Sequence, residues 1–385
     1  MTNSVLPQAL DTGRLTVLTG CEANGLVERG SVERDTVDRG SVEHGSVDRG
    51  SGDRADTAVS ADYCADGVAF TRRDVYSGRV FGHHVVRARH VILAAGAFFS
   101  STLLLRSRGL PASVRARIER TIFLQPHAQV FGLFDRPVTQ HGVIDGDRYL
   151  PYHGVPAIYN FTGMLRTHGF FWLASILFPA NLATFVSHLP PEEHDAIVRQ
   201  FHLTTSVTLT IRDAPARARI VLKDGRPVLD FQESRQDIER VRAAMLAAAR
   251  GFLRVGARRV FLPLLDPPRI EREADLRALE TRRFGYDEVL LYSDHTSGGM
   301  PIGIDARRGA VNEYGQIFGT SNVWVTDASV FPSACGVNPS WTIMALSHRA
   351  ASHLSDRLSG RFGGMRDTMA RHAGMKMTPA RTEAR

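Results

Sequence analysis

Apolar residues in this chain come in short runs bounded by glycine, proline or charge, and the spacing within each run predicts its element. Leu15–Leu18, Gly67–Phe70 and Val85–Leu93 read as strands. Val91–Ala94 is continuously apolar, the pattern of a strand buried on both faces, and Ala95-Gly96-Ala97 behind it is small enough to let another backbone approach. In isolation the triplet is a tight β-to-α turn, because the residues up to Gly109 look helical. Ser206–Ile211 and Ala218–Leu222 read as strands, and Asp224-Gly225 as the hairpin turn before Pro227–Phe231. Ser234 then caps a helix, with Asp237 three residues on acting as in a capping box. Ile238, Val241, Met245 and Phe252 recur on one face of that helix, and Gly256 ends it. Near the end, Val323–Thr326 reads as a buried strand, followed by a helix from about Ser340 with Pro339 at its first turn.

Two stretches break this rhythm. From Arg29 to Arg54 the chain repeats in five-residue units (RGSVE, RDTVD, RGSVE, HGSVD, RGSGD), with too little apolar surface to offset ordering entropy, and reads as a solvated loop insert. Gly50, Gly52 and Ala55 match G-x-G-x-x-A by chance, since no strand leads in and no helix leads out. Gly169–Val186 approaches the length that spans a bilayer, but Pro179 and Asn181 interrupt it. It reads as a core segment or the apolar wall of a substrate pocket, with a membrane-facing patch as the lesser alternative.

Composition narrows the classes. With 43% hydrophobic and 23% charged residues the chain is globular, neither disordered nor fibrous. The charge of +7 is carried almost wholly by arginine, with Lys223 and Lys376 the only lysines, a skew typical of codon bias, so no nucleic-acid partner is expected. Cys21, Cys64 and Cys335 show no CxxC spacing, which excludes a disulfide framework and a four-cysteine zinc site. No metal is expected, and the opening residues carry no secretory signal, so the expected location is cytoplasmic with peripheral membrane contact as the alternative. His83, His84 and His90 lack a third ligand at metal spacing and read as surface or packing residues.

Chemistry concentrates in two late segments. SDHTSGGMPIG (Ser293–Gly303) places a histidine before a flexible glycine pair. In NVWVTDASVFPSACGVNPSWTIMALSHRAASHL (Asn322–Leu354) a strand ends at Asp327-Ala328-Ser329, and a Gly-Val-Asn-Pro turn opens a helix whose unpaired N–H groups suit an electron-rich ligand. Asn338 taken alone is also a good N-cap. The chain has no G-x-S-x-G, H-E-x-x-H or P-loop motif, which counts against hydrolase, zinc-protease and nucleotide-triphosphate readings.

Together with VILAAGAFFSSTLLLRS, these segments resemble the C-terminal portion of the glucose-methanol-choline (GMC) flavoprotein oxidoreductases. The first stretch is similar to the family's second signature, with Ser107-Arg108 in place of the usual Ser-Gly. His295 and TSGGMPIG resemble H-x-x-G-[TG]-C-R-M-G, with Met300, Pro301 and Ile302 for Cys-Arg-Met, and TDASVFPSACGVNPSWTIMALSHRAA resembles the closing motif. The branch most alike acts on long-chain alcohols.

The resemblance implies a mixed α/β (α+β) fold: an incomplete FAD-binding Rossmann-like domain plus an antiparallel-sheet substrate domain with packed helices. The FAD part would cover residues 1–117 and return at 289–358, the substrate domain 118–288, and a disordered basic tail 359–385. It implies FAD as cofactor and a small-molecule alcohol as substrate, which the Phe170–Val186 stretch leans towards the apolar. His295 would be the base and Asn338 its partner. Asp327 and Ala328 would lie against the pyrophosphate and ribityl chain, Pro339 near the flavin ring, Gly96 where its strand meets the cofactor, and Ala23 at the adenine. The family's opening strand, G-x-G-x-x-G turn and helix have no match in the chain, which leaves three alternatives: a piece of a full enzyme, a partner chain that supplies the ADP-binding segment, or a non-catalytic fragment.

Overall fold

After a short helix over Val5–Asp11, three antiparallel strands form the first sheet: β1 (Cys21–Glu28), β2 (Ala65–Arg73) and β3 (Val80–Arg87). The structure, a computed structural model, describes residues 5–28, 63–118, 122–137, 143–145, 148–150, 160–174, 179–212, 218–231 and 234–360. The pentapeptide insert with its chance glycine match, and the tail apart from Ser359 and Gly360, lie outside the described residues. Leu15–Leu18 is not a strand, contrary to its pattern, and Val17 and Leu18 are more than half exposed. The reason lies in pairing: β2 stops at Arg73, whose N–H already donates to Gly20 O at 2.7 Å, so the residues before Gly20 have no neighbour to join.

Next come the short strand β4 (Val91–Leu93) and helix α1 (Gly96–Arg106). The hydrogen-bonded elements that follow are β5 (Ile122–Phe123), β6 (His127–Leu133), β7 (Asn160–Phe161), β8 (Phe170–Ala174), β9 (Thr204–Ile211), β10 (Ala218–Lys223) and β11 (Arg226–Phe231). Helix α2 (Arg235–Arg254) and strands β12 (Arg259–Phe261), β13 (Ser297–Gly298) and β14 (Val323–Val325) lead to helix α3 (Ser340–Leu358). The fold is mixed α/β with largely antiparallel sheets. Its largest sheet has the order β12-β6-β9-β8-β7, a second runs β11-β10-β5-β13, and β4 pairs in parallel with β14.

Local signals explain several of these elements. Asp224 and Gly225 both take positive φ (50° and 70°), the geometry a two-residue hairpin needs between β10 and β11. Ser234 Oγ accepts from Asp237 N at 3.3 Å, capping α2, whose apolar stripe Ile238, Val241, Met245 and Phe252 is buried. That stripe packs on Ala128 and Val130 of β6 and Leu209 and Ile211 of β9. Because side chains alternate along a strand, His127, Gln129, Phe131 and Leu133 of β6 point to the other face of the sheet. The apolar Gly169–Val186 stretch divides into β8 and a helix over Pro179–Phe185, with Phe170, Phe171, Leu182 and Val186 buried. No described helix is long and apolar enough to cross a membrane.

One burial expectation fails. Val91 and Leu93 are buried, but Ile92 is 51% exposed, so β4 is covered on one face only.

Candidate active site

Buried polar side chains mark the chemistry, because burying a polar group is costly unless it is paired. On the face of the main sheet away from α2, His127, Gln129, Ser206, Thr208 and Thr210 are all buried. Thr208 Oγ1 donates to Gln129 Oε1 at 2.9 Å, and Thr210 Oγ1 lies 3.0 Å from His127 Nδ1.

Against this polar end lies the motif loop. His127 N donates to Tyr292 O at 2.8 Å and Tyr292 N to His127 O at 3.0 Å; Ser293 Oγ donates to Leu124 O; and β13 pairs with β5. Residues 292–298 are thus fastened antiparallel along residues 122–127. Gly298 and Gly299 that end this loop take φ of 79° and 103°, and a Cβ on Gly299 would stand 2.5 Å from Ser101 Oγ, so the turn is built for glycine.

His295 sits at the junction with only 11% of its side chain exposed. Its Nδ1 lies 2.9 Å from Gln125 Oε1 and 3.7 Å from Asp294 Oδ1, and its ring meets the His127 ring edge-on at 4.8 Å. Burial holds His295 below the ordinary histidine range, with His127 adding to the effect and Asp294 opposing it. Desolvation works to raise Asp294, but His127, at 2.8 Å from Nε2 to Oδ1, and His295 outweigh it and keep the carboxyl below its usual value. Burial pushes Tyr292 up to about 12, against the pull of its hydrogen bond with Thr208, so its phenol stays protonated at neutral pH.

A second knot joins the ends of the parallel pair. Asp327, itself buried, accepts at Oδ2 from Gly96 N (2.9 Å) and Ser100 Oγ (2.6 Å), and at Oδ1 from Ser329 N (2.8 Å) and Ser329 Oγ. Its carboxylate is consumed inside the protein. Gly96 takes φ 82° and has open space where a Cβ would be. Ala328 and Pro339 are buried, whereas Ala23 is exposed on β1 opposite Phe70. Asn338 is exposed and forms no hydrogen bond, to His295 or to any other described residue. Asn338 does not cap the helix: the N-cap position falls on Pro339, which makes no side-chain cap bond. The first-turn N–H groups of α3 are left without a side-chain cap.

Sequence patterns located His295 but missed its surroundings. Gln125, His127, Asp294 and Tyr292 come together only through sheet pairing, and the one hint was polar Gln-Pro-His inside an apolar run. The ligand atoms of His127, Asp294 and His295 lie within 4.8 Å of one another, the residue types of a divalent-cation site. His83 Nδ1 pairs with Thr71 Oγ1 at 3.0 Å and His84 stacks on Phe70. Elsewhere a cavity of about 850 Å³ is lined by Arg166, Arg212, Arg235 and Arg240.

Comparison with known proteins gives the class. Residues 208–347 match the family model described as GMC oxidoreductase. An uncharacterized GMC-type oxidoreductase of Sinorhizobium fredii is 27% identical over 272 residues, covering 70% of this chain and 50% of that protein. A long-chain-alcohol oxidase of Arabidopsis thaliana is 23% identical over 298 residues, covering 74% of this chain and 38% of that one. A solved formate oxidase of Aspergillus oryzae shares the fold, with a TM-score of 0.50 at 14% identity over 75% of this chain and 57% of that chain. The chain is thus similar to GMC-type oxidoreductases over about 70% of its length, and residues 208–347 match that family's model. It spans about half the length, or less, of these curated relatives.

Proposed function

We propose that this chain carries the substrate face and the base of an FAD-dependent enzyme that oxidises the CH–OH group of an apolar, small-molecule alcohol. The observation that carries this reading is His295: a nearly buried imidazole, held neutral near pH 7 by its burial, at the polar end of the main sheet. An alcohol gives up hydride from carbon only as its O–H proton leaves, and a positioned neutral imidazole accepts that proton. Asn338, with an amide that no described residue occupies, would donate to the developing alkoxide. Tyr292, kept as a phenol, and Phe185, 5.1 Å from its ring, give the site an apolar wall suited to an alkyl substrate.

The residues present fit the cofactor. Open space above Gly96, at the C-terminal end of a parallel strand and beside the Asp327–Ala328 turn, is where α/β sheets receive nucleotides. Gly96, Ala328, Pro339 and the backbone of Ala23 would hold FAD, and Asp327 would shape the turn rather than face a phosphate, since its charge is already satisfied. Bound FAD supplies the hydride acceptor that no side chain can provide. The printed name of the Arabidopsis thaliana relative, a long-chain-alcohol oxidase, supports an apolar alcohol as the substrate class. The test is to purify the chain, add FAD and measure flavin absorbance of the protein together with turnover of a long-chain primary alcohol. Stoichiometric flavin and turnover are expected; a colourless protein that takes up no flavin contradicts the reading.

A further inference from the structure

We infer that Gln125 is a positioning residue that fixes His295 in one tautomer, with the proton on Nδ1 and the lone pair of Nε2 presented to the substrate. The inference rests on the reading of His295 as base and adds which atom does the work.

Two acceptors face Nδ1. The amide oxygen of Gln125 stands 2.9 Å away and the carboxylate of Asp294 3.7 Å away, and both favour a proton between themselves and the ring. The remaining groups packed around the ring do not compete for it. His127 is engaged through Nε2 with Asp294 and through Nδ1 with Thr210, and the protonated Tyr292 is hydrogen-bonded to Thr208. Nε2 of His295 has no hydrogen-bond partner among the described residues, which leaves it as the atom able to accept a proton.

The backbone points the same way. Gln125 is 1% exposed and has φ of 49°, one of two non-glycine residues with positive φ among the described residues. The other, Asp224, is in a hairpin turn where that geometry is routine, whereas Gln125 precedes Pro126, which favours extended backbone. A bulky residue is kept in a rarely occupied region only when its surroundings over-determine it. Here they do: Ile211 N donates to Pro126 O at 3.0 Å, Ser293 Oγ to Leu124 O, and His127 exchanges two backbone bonds with Tyr292. The constraint aims an amide at a histidine 170 residues away in sequence.

The test combines spectroscopy and kinetics. In the ¹⁵N-histidine-labelled chain, with the His295 signal identified by its loss in His295→Gln, long-range ¹H–¹⁵N correlation at pH 7.5 should show Nδ1–H in the wild type. Gln125→Leu should convert the signal to the Nε2–H form or a mixture, and Gln125→Glu should restore Nδ1–H. In the FAD-loaded protein, Gln125→Leu should lower kcat roughly 10- to 100-fold with KM little changed, the size seen for groups that orient a reacting ligand. Gln125→Glu should recover much of the rate and move its acid limb to higher pH. An Nε2–H signal in the wild type, or a Gln125→Leu signal unchanged from wild type, overturns the inference. The wild-type spectrum decides the tautomer even where Gln125→Leu fails to fold. Wild-type turnover in His295→Ala would instead sink the function while leaving the tautomer result standing.

Discussion

Helices α2 and α3 are nearly equal in length and unequal in everything that packing supplies. α2 has 20 residues with nine buried, and its apolar stripe lies on a five-stranded sheet made by the same chain. α3 has 19 residues with two buried, Ala350 and Leu354, and it accompanies a sheet of only two strands. Trp341 at its start is 83% exposed, and Phe99 on α1 and Ile92 on β4 are more than half exposed. Apolar sequence therefore became core where a partner surface exists in the described chain and remained open where none does. The five-stranded sheet stands on its own packing. The parallel pair buries Val91, Leu93, Val323 and Val325 and adds a polar knot at Asp327.

The sharpest way to break this contrast is truncation in the packed half. Met245→Ala removes a fully buried side chain from α2 and should cost about 2–5 kcal/mol in urea unfolding. Next, Asp327→Ala strips an acceptor from Gly96 N, Ser100 and Ser329 and should cost roughly 3 kcal/mol, since each hydrogen bond to a charged group is worth about 1.5–3 kcal/mol and the orphaned donors partly rehydrate. At the far end, Trp341→Ser should stay within about 0.5 kcal/mol of wild type, as expected for an exposed side chain. A large loss there would show that α3 is covered after all.

How far the sequence was legible follows the same line. The α2 cap and stripe and the Asp224-Gly225 hairpin were readable because the determinants lie within a few residues of one another. Leu15–Leu18 misled, because a strand needs a neighbour and β2 ends too early to provide one. Ile92 misled because a continuous apolar run predicts a cover, and that cover is not among the described residues. His295 was readable from its motif, but its partners Gln125 and His127 come from the segment joining β5 to β6 and the first residue of β6, far away in sequence, and nothing local encodes the positive φ of Gln125.

A smaller effect concerns pH. The folded pKa of His295 lies below its unfolded value of about 6.5, so its contribution to stability is complete above that pH and is lost as pH falls through the folded pKa. Asp294 pulls the His295 pKa upward, so Asp294→Asn should shift the acid limb of the rate profile to lower pH. An upward shift would show that Asp294 does not act on His295 through its charge.

The most direct measurement for the central claim is kcat/KM for a long-chain primary alcohol in FAD-loaded wild type and His295→Ala at equal flavin content. A positioned general base contributes about 10²- to 10⁴-fold, so a drop of that size is predicted with flavin binding unchanged. Equal rates in the two proteins would contradict the assignment of His295 as the base.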